Sequence, residues 1–159
     1  MTRKILLTII ILILGALLIG SVPTPDPPIT TCMGAIPNII CPLNSPAPCI
    51  GNAGNDVILG SSGPDTIWGM GGNDYICGMG GNDVIKGGPG SDMIDGGAGM
   101  DRLYGEAGND SIWGNTGHDG LYGGRGKDTL HGGPGFDFCN GGPGTDNTTG
   151  GCEVWWSIP

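Results

Sequence analysis

Basic and aromatic residues are scarce in this sequence. Lysine and arginine together number 6 of 159 residues against 15 aspartates and glutamates, which gives a formal net charge of −9. A chain this acidic does not attract nucleic-acid phosphates or an anionic membrane surface, so no nucleic-acid partner is expected. Aromatic residues are only 6% of the chain, which is not typical of an ordinary globular domain.

The usual catalytic and nucleotide-binding motifs are also missing. The glycine-rich turns contain no GxxxxGK[ST] sequence, and no predicted helix follows them to bind phosphate. His118 and His131 are thirteen residues apart, with no serine or cysteine nucleophile in register, which disfavours a catalytic triad. The cysteines have no CxxC spacing, and the EF-hand spacing is absent. We therefore predict that the protein is not an enzyme.

Glycine, in contrast, is abundant and periodic. The 35 glycines follow no Gly-X-Y pattern, which excludes collagen. Instead, one nine-residue unit is repeated eleven times over residues 51–149, as in GMGGNDYIC (69–77) and GMGGNDVIK (78–86). Positions 1 and 4 are always glycine, and position 6 is always aspartate. Position 8 is isoleucine or leucine from Ile58 to Leu130, then Cys139 and Thr148.

The pattern within each unit predicts a turn followed by a short strand. Positions 1–6, GxxGxD, favour a tight turn, whereas positions 7–9 alternate, with the apolar position 8 pointing inward. A three-residue strand gains hydrogen-bond partners only if successive coils stack. Two units then form one coil, and units eighteen residues apart become neighbours in one of two parallel sheets. The sequence therefore predicts an all-β solenoid with position 8 between the sheets.

Stacking places the position-6 aspartates in two columns. Carboxylates at the roughly 4.8 Å spacing of parallel strands repel one another unless a cation lies between them. Carboxylate and carbonyl oxygens, without thiolate or imidazole, favour Ca²⁺. The gaps allow up to nine calcium ions. The predicted metal ligands are Asp56, Asp74, Asp92, Asp110, Asp128 and Asp146 in one column, and Asp65, Asp83, Asp101, Asp119 and Asp137 in the other.

A core built mainly from one residue in nine is thin for a domain so rich in glycine. Ions that bind the folded chain and hardly the unfolded one would supply the missing stability by linkage. We therefore predict that folding depends on calcium.

The flanking segments predict export and capping. Residues 1–22 combine a basic start with an apolar run of roughly 23 Å as a helix, short of the ~30 Å hydrocarbon core. This favours a secretory signal peptide, but the cleavage site is poor, so an uncleaved N-terminal anchor with residues 5–20 in the membrane is the alternative. Residues 23–50 form a proline-rich linker and a cysteine-bearing cap. Residues 150–159 form a second cap, in which Trp155 and Trp156 are expected to cover the core.

Six cysteines in an exported chain indicate three disulfides, with fifteen possible connectivities. Two pairs suggest themselves because each encloses a short segment, and they leave a third. The candidate pairs are Cys41 with Cys49, Cys139 with Cys152, and Cys32 with Cys77.

The nine-residue pattern resembles the RTX, or hemolysin-type, calcium-binding repeat. The resemblance implies a right-handed parallel β-roll with short N- and C-terminal caps, whose position-6 aspartates and turn carbonyls bind Ca²⁺. With its caps and N-terminal segment, the chain is most similar to small, Cys-capped, Sec-exported members. Departures at position 2 (Asn52, Ser61, Met70, Met79, Glu106, Asn115) and position 5 (Pro64, Met100, His118, Phe136) are expected to weaken nearby sites.

These observations predict a non-enzymatic, extracellular or cell-surface-tethered calcium-binding β-roll. The alternative is an adhesin or polysaccharide-binding module whose partner is a cell-surface glycan or another extracellular protein. Its candidate binding surface is a stripe of position-9 residues eighteen apart: Trp68, Lys86, Tyr104 and Tyr122. Cross-strand packing explains the same stripe without a ligand.

Overall fold

A computed structural model describes residues 32–43 and 47–155, with the backbone alone for Val154 and Trp155. The predicted signal segment 1–22, the first part of the linker and Trp156 lie outside these residues, as does the side chain of Trp155. Within the described residues, no helix is long and apolar enough to span a membrane.

The described chain forms fourteen β-strands. They are β1 (Ile39–Ile40), β2 (Cys49–Ile50), β3 (Val57–Leu59), β4 (Thr66–Trp68), β5 (Tyr75–Cys77), β6 (Val84–Pro89), β7 (Met93–Ala98), β8 (Arg102–Ala107), β9 (Ser111–Thr116), β10 (Gly120–Arg125), β11 (Thr129–His131), β12 (Asp137–Asn140), β13 (Asn147–Thr149) and β14 (Cys152–Trp155).

Odd and even strands form separate sheets. The first sheet has the order β1-β3-β5-β7-β9-β11-β13, and the second has the order β2-β4-β6-β8-β10-β12-β14. The strand pairs are parallel, and between repeats the paired residues are eighteen apart, as in Ile76 with Ile94. Successive units therefore alternate between the sheets, and the predicted parallel β-roll is confirmed.

The core is one column of aliphatic side chains between the sheets. Each position-8 isoleucine or leucine is completely buried. These nine residues are Ile58, Ile67, Ile76, Ile85, Ile94, Leu103, Ile112, Leu121 and Leu130. In most units only the middle side chain is buried, as the alternation predicted for positions 7–9 requires. Leu59 and Cys77, at position 9, are exceptions, because both are buried in a second small cluster with Cys32.

The strands in the middle of the roll are longer than predicted. β6 to β10 each have six residues, because they continue through positions 1–3 of the following unit. The backbone groups of those positions also bond to neighbouring coils; for example, Ala98 N donates to Met79 O at 3.0 Å. The turn between two such strands is therefore confined to positions 4–6.

The caps continue the roll at both ends. β1 and β2, from the segment before the repeats, each add a strand to one sheet, and β14 pairs with β12. The disulfides are Cys32–Cys77, Cys41–Cys49 and Cys139–Cys152, the three candidate pairs. Cys41, Cys49 and Cys139 pack in the same cluster as the position-8 residues, so disulfide sulfur closes the apolar core at each end.

Candidate metal sites

The position-6 aspartates form two ladders along the edges of the roll. The backbone N–H of every aspartate except the last of each column donates to Oδ1 of the aspartate eighteen residues later, at 2.8 to 3.0 Å. One ladder joins Asp56 to Asp146 and the other joins Asp65 to Asp137. The eleven predicted ligands therefore stack one coil above another.

The second carboxylate oxygen, Oδ2, lies beside the glycine at position 1 of its own unit. At Gly114, an added Cβ atom would lie 2.6 Å from Asp119 Oδ2 and 2.6 Å from the carbonyl oxygen of Gly132, one coil further on. Both distances are too short for a real Cβ. The absence of a side chain at position 1 thus lets a carboxylate oxygen and a carbonyl oxygen share one small space between two coils.

Eight of these Oδ2 atoms are buried without a hydrogen-bond partner. They belong to Asp74, Asp83, Asp92, Asp101, Asp110, Asp119, Asp128 and Asp137. A buried, unpaired carboxylate oxygen costs free energy, and native structures contain few such groups without a bound ion or water. This arrangement fits a cation between the coils.

The first two aspartates differ from the eight that follow. Asp56 Oδ2 accepts a hydrogen bond from Asn52 N at 2.8 Å, and Asp65 Oδ2 accepts one from Ser61 N at 2.7 Å. From the third repeat onward, position 2 instead has a positive φ, between 66° at Asn115 and 112° at Gly88. The first gap of each column therefore has its carboxylate satisfied by the protein. Seven gaps between later repeats contain an unpartnered Oδ2.

The atoms that could bind a metal in these gaps are almost entirely oxygens. Nowhere in the described residues do three His, Cys, Asp or Glu side chains converge on one point. A cation in these gaps would be held by aspartate oxygens together with backbone carbonyls such as that of Gly132. A flexible shell of oxygen ligands is the chemistry that calcium prefers.

The comparison with known families agrees with this chemistry. The family model for the RTX calcium-binding nonapeptide repeat (4 copies) matches residues 50–85, 86–121 and 113–148. The chain belongs to the RTX repeat family. No curated protein matches the chain when whole sequences are compared.

The RTX roll raises the pKa of the eight aspartates whose Oδ2 has no hydrogen-bond partner. Burial is the main cause, and repulsion from the neighbouring carboxylates of the column adds to it. The pKa of Asp83 and of Asp92 rises to about 7, and that of Asp110 and of Asp119 to about 6. Hydrogen bonds from backbone N–H groups oppose the shift without cancelling it. The folded roll therefore takes up protons near neutral pH unless another positive charge lies in the gaps.

This uptake predicts an unusual response to pH. Because the folded-state pKa values exceed the ordinary value of 3.8, the carboxylates favour folding most below that value and lose this contribution as pH rises towards 7. In calcium-free buffer, β-structure measured by circular dichroism should increase on acidification from pH 8 to pH 5. With calcium, the same acidification should decrease the β-structure, because protons compete with the metal for the carboxylates. A calcium-free chain that instead loses structure over this range would contradict the prediction.

Position 5 contributes further hydrogen bonds between coils, in one row beside each aspartate column, which the repeat pattern does not reveal. Asn55, Asn73, Asn82 and Asn109 each accept a hydrogen bond from the backbone N–H eighteen residues later, at 2.7 to 2.9 Å. His118 Nδ1 does the same for Phe136 N at 2.9 Å. The sequence signal is an Asn or another acceptor at position 5. Met100 has no such acceptor, so the row that contains Asn82 and His118 is interrupted there.

The position-9 stripe is in register on the outside of the second sheet. Trp68 pairs with Lys86, Lys86 with Tyr104, and Tyr104 with Tyr122. The rings of Tyr104 and Tyr122 stack with centroids 4.9 Å apart and planes 10° apart. Lys86 separates Trp68 from the tyrosines and pairs with Glu106 at 3.9 Å.

Proposed function

We propose that this protein is a secreted, non-enzymatic calcium-binding β-roll whose folding is controlled by extracellular calcium. The observation that carries the proposal is the set of eight buried Oδ2 atoms without a hydrogen-bond partner. Each of these oxygens lies where no hydrogen-bond donor reaches it and where a cation between the coils would need an oxygen ligand.

The aspartates and the glycine carbonyls divide the work of the site. Oδ1 joins consecutive coils by accepting a backbone N–H, as Asp110 does from Asp92. Oδ2 is thereby directed into the gap beside a position-1 carbonyl oxygen. Calcium, when bound, supplies the positive charge that offsets repulsion within the column. The carbonyl oxygens fill the rest of the shell without adding negative charge.

Folding and binding are coupled because no single unit contains a complete site. The carboxylate of one unit and the carbonyl of the unit eighteen residues later face the same gap only when coils are stacked. A ligand that binds only the stacked form stabilises it by mass action. Extracellular calcium modules bind in the roughly 10⁻⁴–10⁻³ M range, well above cytosolic calcium. The chain would thus stay unfolded before export and fold outside.

The geometry supports seven ions between repeats, fewer than the nine gaps of the two columns. The first gap in each column already has hydrogen bonds to its Oδ2, at Asp56 and Asp65. Export itself rests on the sequence of residues 1–22, as a cleaved signal peptide or an uncleaved anchor.

Circular dichroism and size-exclusion chromatography of the oxidised chain, with millimolar calcium or with a chelator, test the proposal. We expect a compact β-structured protein with calcium and an expanded chain without it. Magnesium is the control ion, because it requires a rigid octahedral shell and should not replace calcium. A compact β-roll in chelator, in the oxidised chain or under reducing conditions, would overturn the proposal.

The aromatic stripe does not add a second candidate function. Tyr104 and Tyr122 turn their ring faces towards one another, and Lys86 interrupts the aromatic surface. Stacking of this kind stabilises short parallel strands without a ligand. A glycan or protein partner for this face remains a hypothesis that no contact favours.

A further inference from the structure

One of the eight unpartnered oxygens belongs to the last repeat of its column and faces the C-terminal cap. Asp137 is the final position-6 aspartate of the second column, and it is 2% exposed. Its Oδ2 has no hydrogen-bond partner, as in the gaps above it. No aspartate follows eighteen residues later, because position 155 is tryptophan. The orphaned oxygen therefore needs a partner from the C-terminal cap.

Glu153 takes the place of the missing aspartate. Its carboxylate oxygen Oε2 accepts a hydrogen bond from Asp137 N at 2.5 Å. This is the bond that Asp137 Oδ1 makes with Asp119 N one coil earlier. Glu153 thus extends the second ladder by one carboxylate, although it lies sixteen and not eighteen residues after Asp137.

The backbone of the cap makes this substitution possible. Pairing between β12 and β14 changes register between Asp137 and Phe138, so that Val154 lies opposite Phe138. Because β12 and β14 pair at an offset of fifteen to sixteen residues and not eighteen, Glu153 reaches the level of a position-6 residue two residues early. The longer glutamate side chain then spans the distance to Asp137 N. The Cys139–Cys152 disulfide fixes the residue immediately before Glu153.

A carbonyl oxygen also lines this last gap. An added Cβ at Gly132 would lie 2.7 Å from Asp137 Oδ2 and 2.8 Å from the carbonyl oxygen of Gly151. Gly114 has the same surroundings in the gap above, with Gly132 providing the carbonyl. The cap therefore supplies both kinds of oxygen that a following repeat would supply.

We propose that Glu153 and Gly151 complete an eighth calcium site with Asp137, through which the C-terminal cap is held to the roll by metal as well as by disulfide. The proposal rests on the proposed function, since it requires that the gaps between repeats bind calcium. Calcium at this place would order the end of the second sheet, where the roll would otherwise bury an unpaired carboxylate oxygen.

Replacing Glu153 by glutamine tests the site with little change in shape. The amide oxygen of Glu153→Gln can still accept the hydrogen bond from Asp137 N, but a negative ligand is lost. Glu106→Gln is the matched control for the number of bound ions, because it removes the same charge from the exposed pair with Lys86. Glu106 also repels Asp92, so this control is expected to keep the ion count and not necessarily the affinity. Flow dialysis with calcium should give one ion fewer for Glu153→Gln than for the unmodified chain, and no change for Glu106→Gln. Amide exchange near residues 137–139 should lose calcium-dependent protection in Glu153→Gln alone.

Three outcomes separate this inference from the proposed function. An unchanged calcium count and unchanged protection in Glu153→Gln would show that Glu153 is only a hydrogen-bonding cap, and would overturn the inference. Failure of the unmodified chain to bind any calcium would overturn the proposed function as well. Anomalous diffraction from the unmodified calcium-loaded protein gives an answer independent of any variant. Peaks in the gaps between repeats, with none between Asp137 and Glu153, would also overturn the inference.

Discussion

Replacing Gly99 by alanine is expected to disrupt the stacking of coils in the middle of the roll. Gly99 occupies position 4 with φ at 138°, and an added Cβ would overlap the carbonyl oxygen of Gly81 in the preceding coil. Backbone strain and steric overlap each cost about 1–3 kcal/mol. Because that carbonyl belongs to the backbone, a change of rotamer cannot relieve the overlap. Calcium titrations should show a large loss of affinity and of β-structure.

Gly80→Ala is the matched control for this prediction. Gly80 lies at position 3 of unit 78–86, one coil before the unit of Gly99. Its added Cβ would be 3.7 Å from the nearest atom, Ala98 O. Both variants change the entropy of the unfolded chain equally, a contribution that stabilises by about 0.4–1 kcal/mol where the native backbone is compatible. Thermal unfolding in saturating calcium should therefore separate the two variants clearly. Equal melting temperatures would show that position 4 does not require glycine.

The same geometry explains which parts of the repeat could be predicted from sequence. Position 8 was predictable because burial of one side chain in a three-residue strand follows from alternation alone. The pairing of Asp92 with Asp110 followed from the nine-residue period and two units per coil. At position 1, and at position 4 from Gly72 onward, a side chain would overlap an Oδ2 atom or the backbone of a neighbouring coil. Position 2 is glycine in only five units, although an added Cβ at Gly88 or Gly124 would also overlap a carbonyl oxygen. At this position Met70 and Glu106 adopt positive φ, at a moderate cost.

Other features depend on backbone conformations that the repeat pattern does not specify. Asn52 and Ser61 are departures at position 2 like Met70, yet their N–H groups reach the carboxylate of their own unit. The extension of strands into positions 1–3 depends on pairing with both neighbouring coils. Glu153 was not recognised as a column residue, because β14 pairs with β12 at an offset of fifteen to sixteen residues and so places it two residues out of period.

The second large effect is expected for a substitution at an aspartate whose Oδ2 has no hydrogen-bond partner. Asp110→Asn should stabilise the calcium-free roll and weaken the calcium-bound one. Its Oδ1 would still accept from Asp92 N, whereas an amide NH₂ would replace the buried, unpartnered Oδ2. That NH₂ group can donate to the carbonyl oxygen of Gly123, which borders the same space. The substitution therefore removes a buried negative charge together with a proposed calcium ligand.

The expected loss in calcium is at least one bound ion. A ligand at one hundred times its dissociation constant contributes about 2.7 kcal/mol, so the stability gained on adding calcium should fall by roughly this amount. Denaturant unfolding of the unmodified chain and of Asp110→Asn measures stability with calcium. Without calcium, where the chain is expected to be expanded, folding induced by an osmolyte such as TMAO gives the comparison. The order of stability of the two proteins should change between the two conditions. Equal stabilisation by calcium in both proteins would contradict the assignment of Asp110 as a ligand.

Asp56→Asn is the matched comparison, because Asp56 already has hydrogen bonds to both oxygens. Asn52 N donates to Oδ2 and the Asn38 side-chain amide donates to Oδ1, at 2.8 and 2.7 Å. An amide NH₂ at either position would face a donor, so this variant should lose about 1 kcal/mol whether or not calcium is present. Opposite responses from the same substitution at two aspartates of one column would show that position 6 serves two purposes. On this assignment, position 6 closes the end of the roll by hydrogen bonding at the first coil and would bind the ion in later coils.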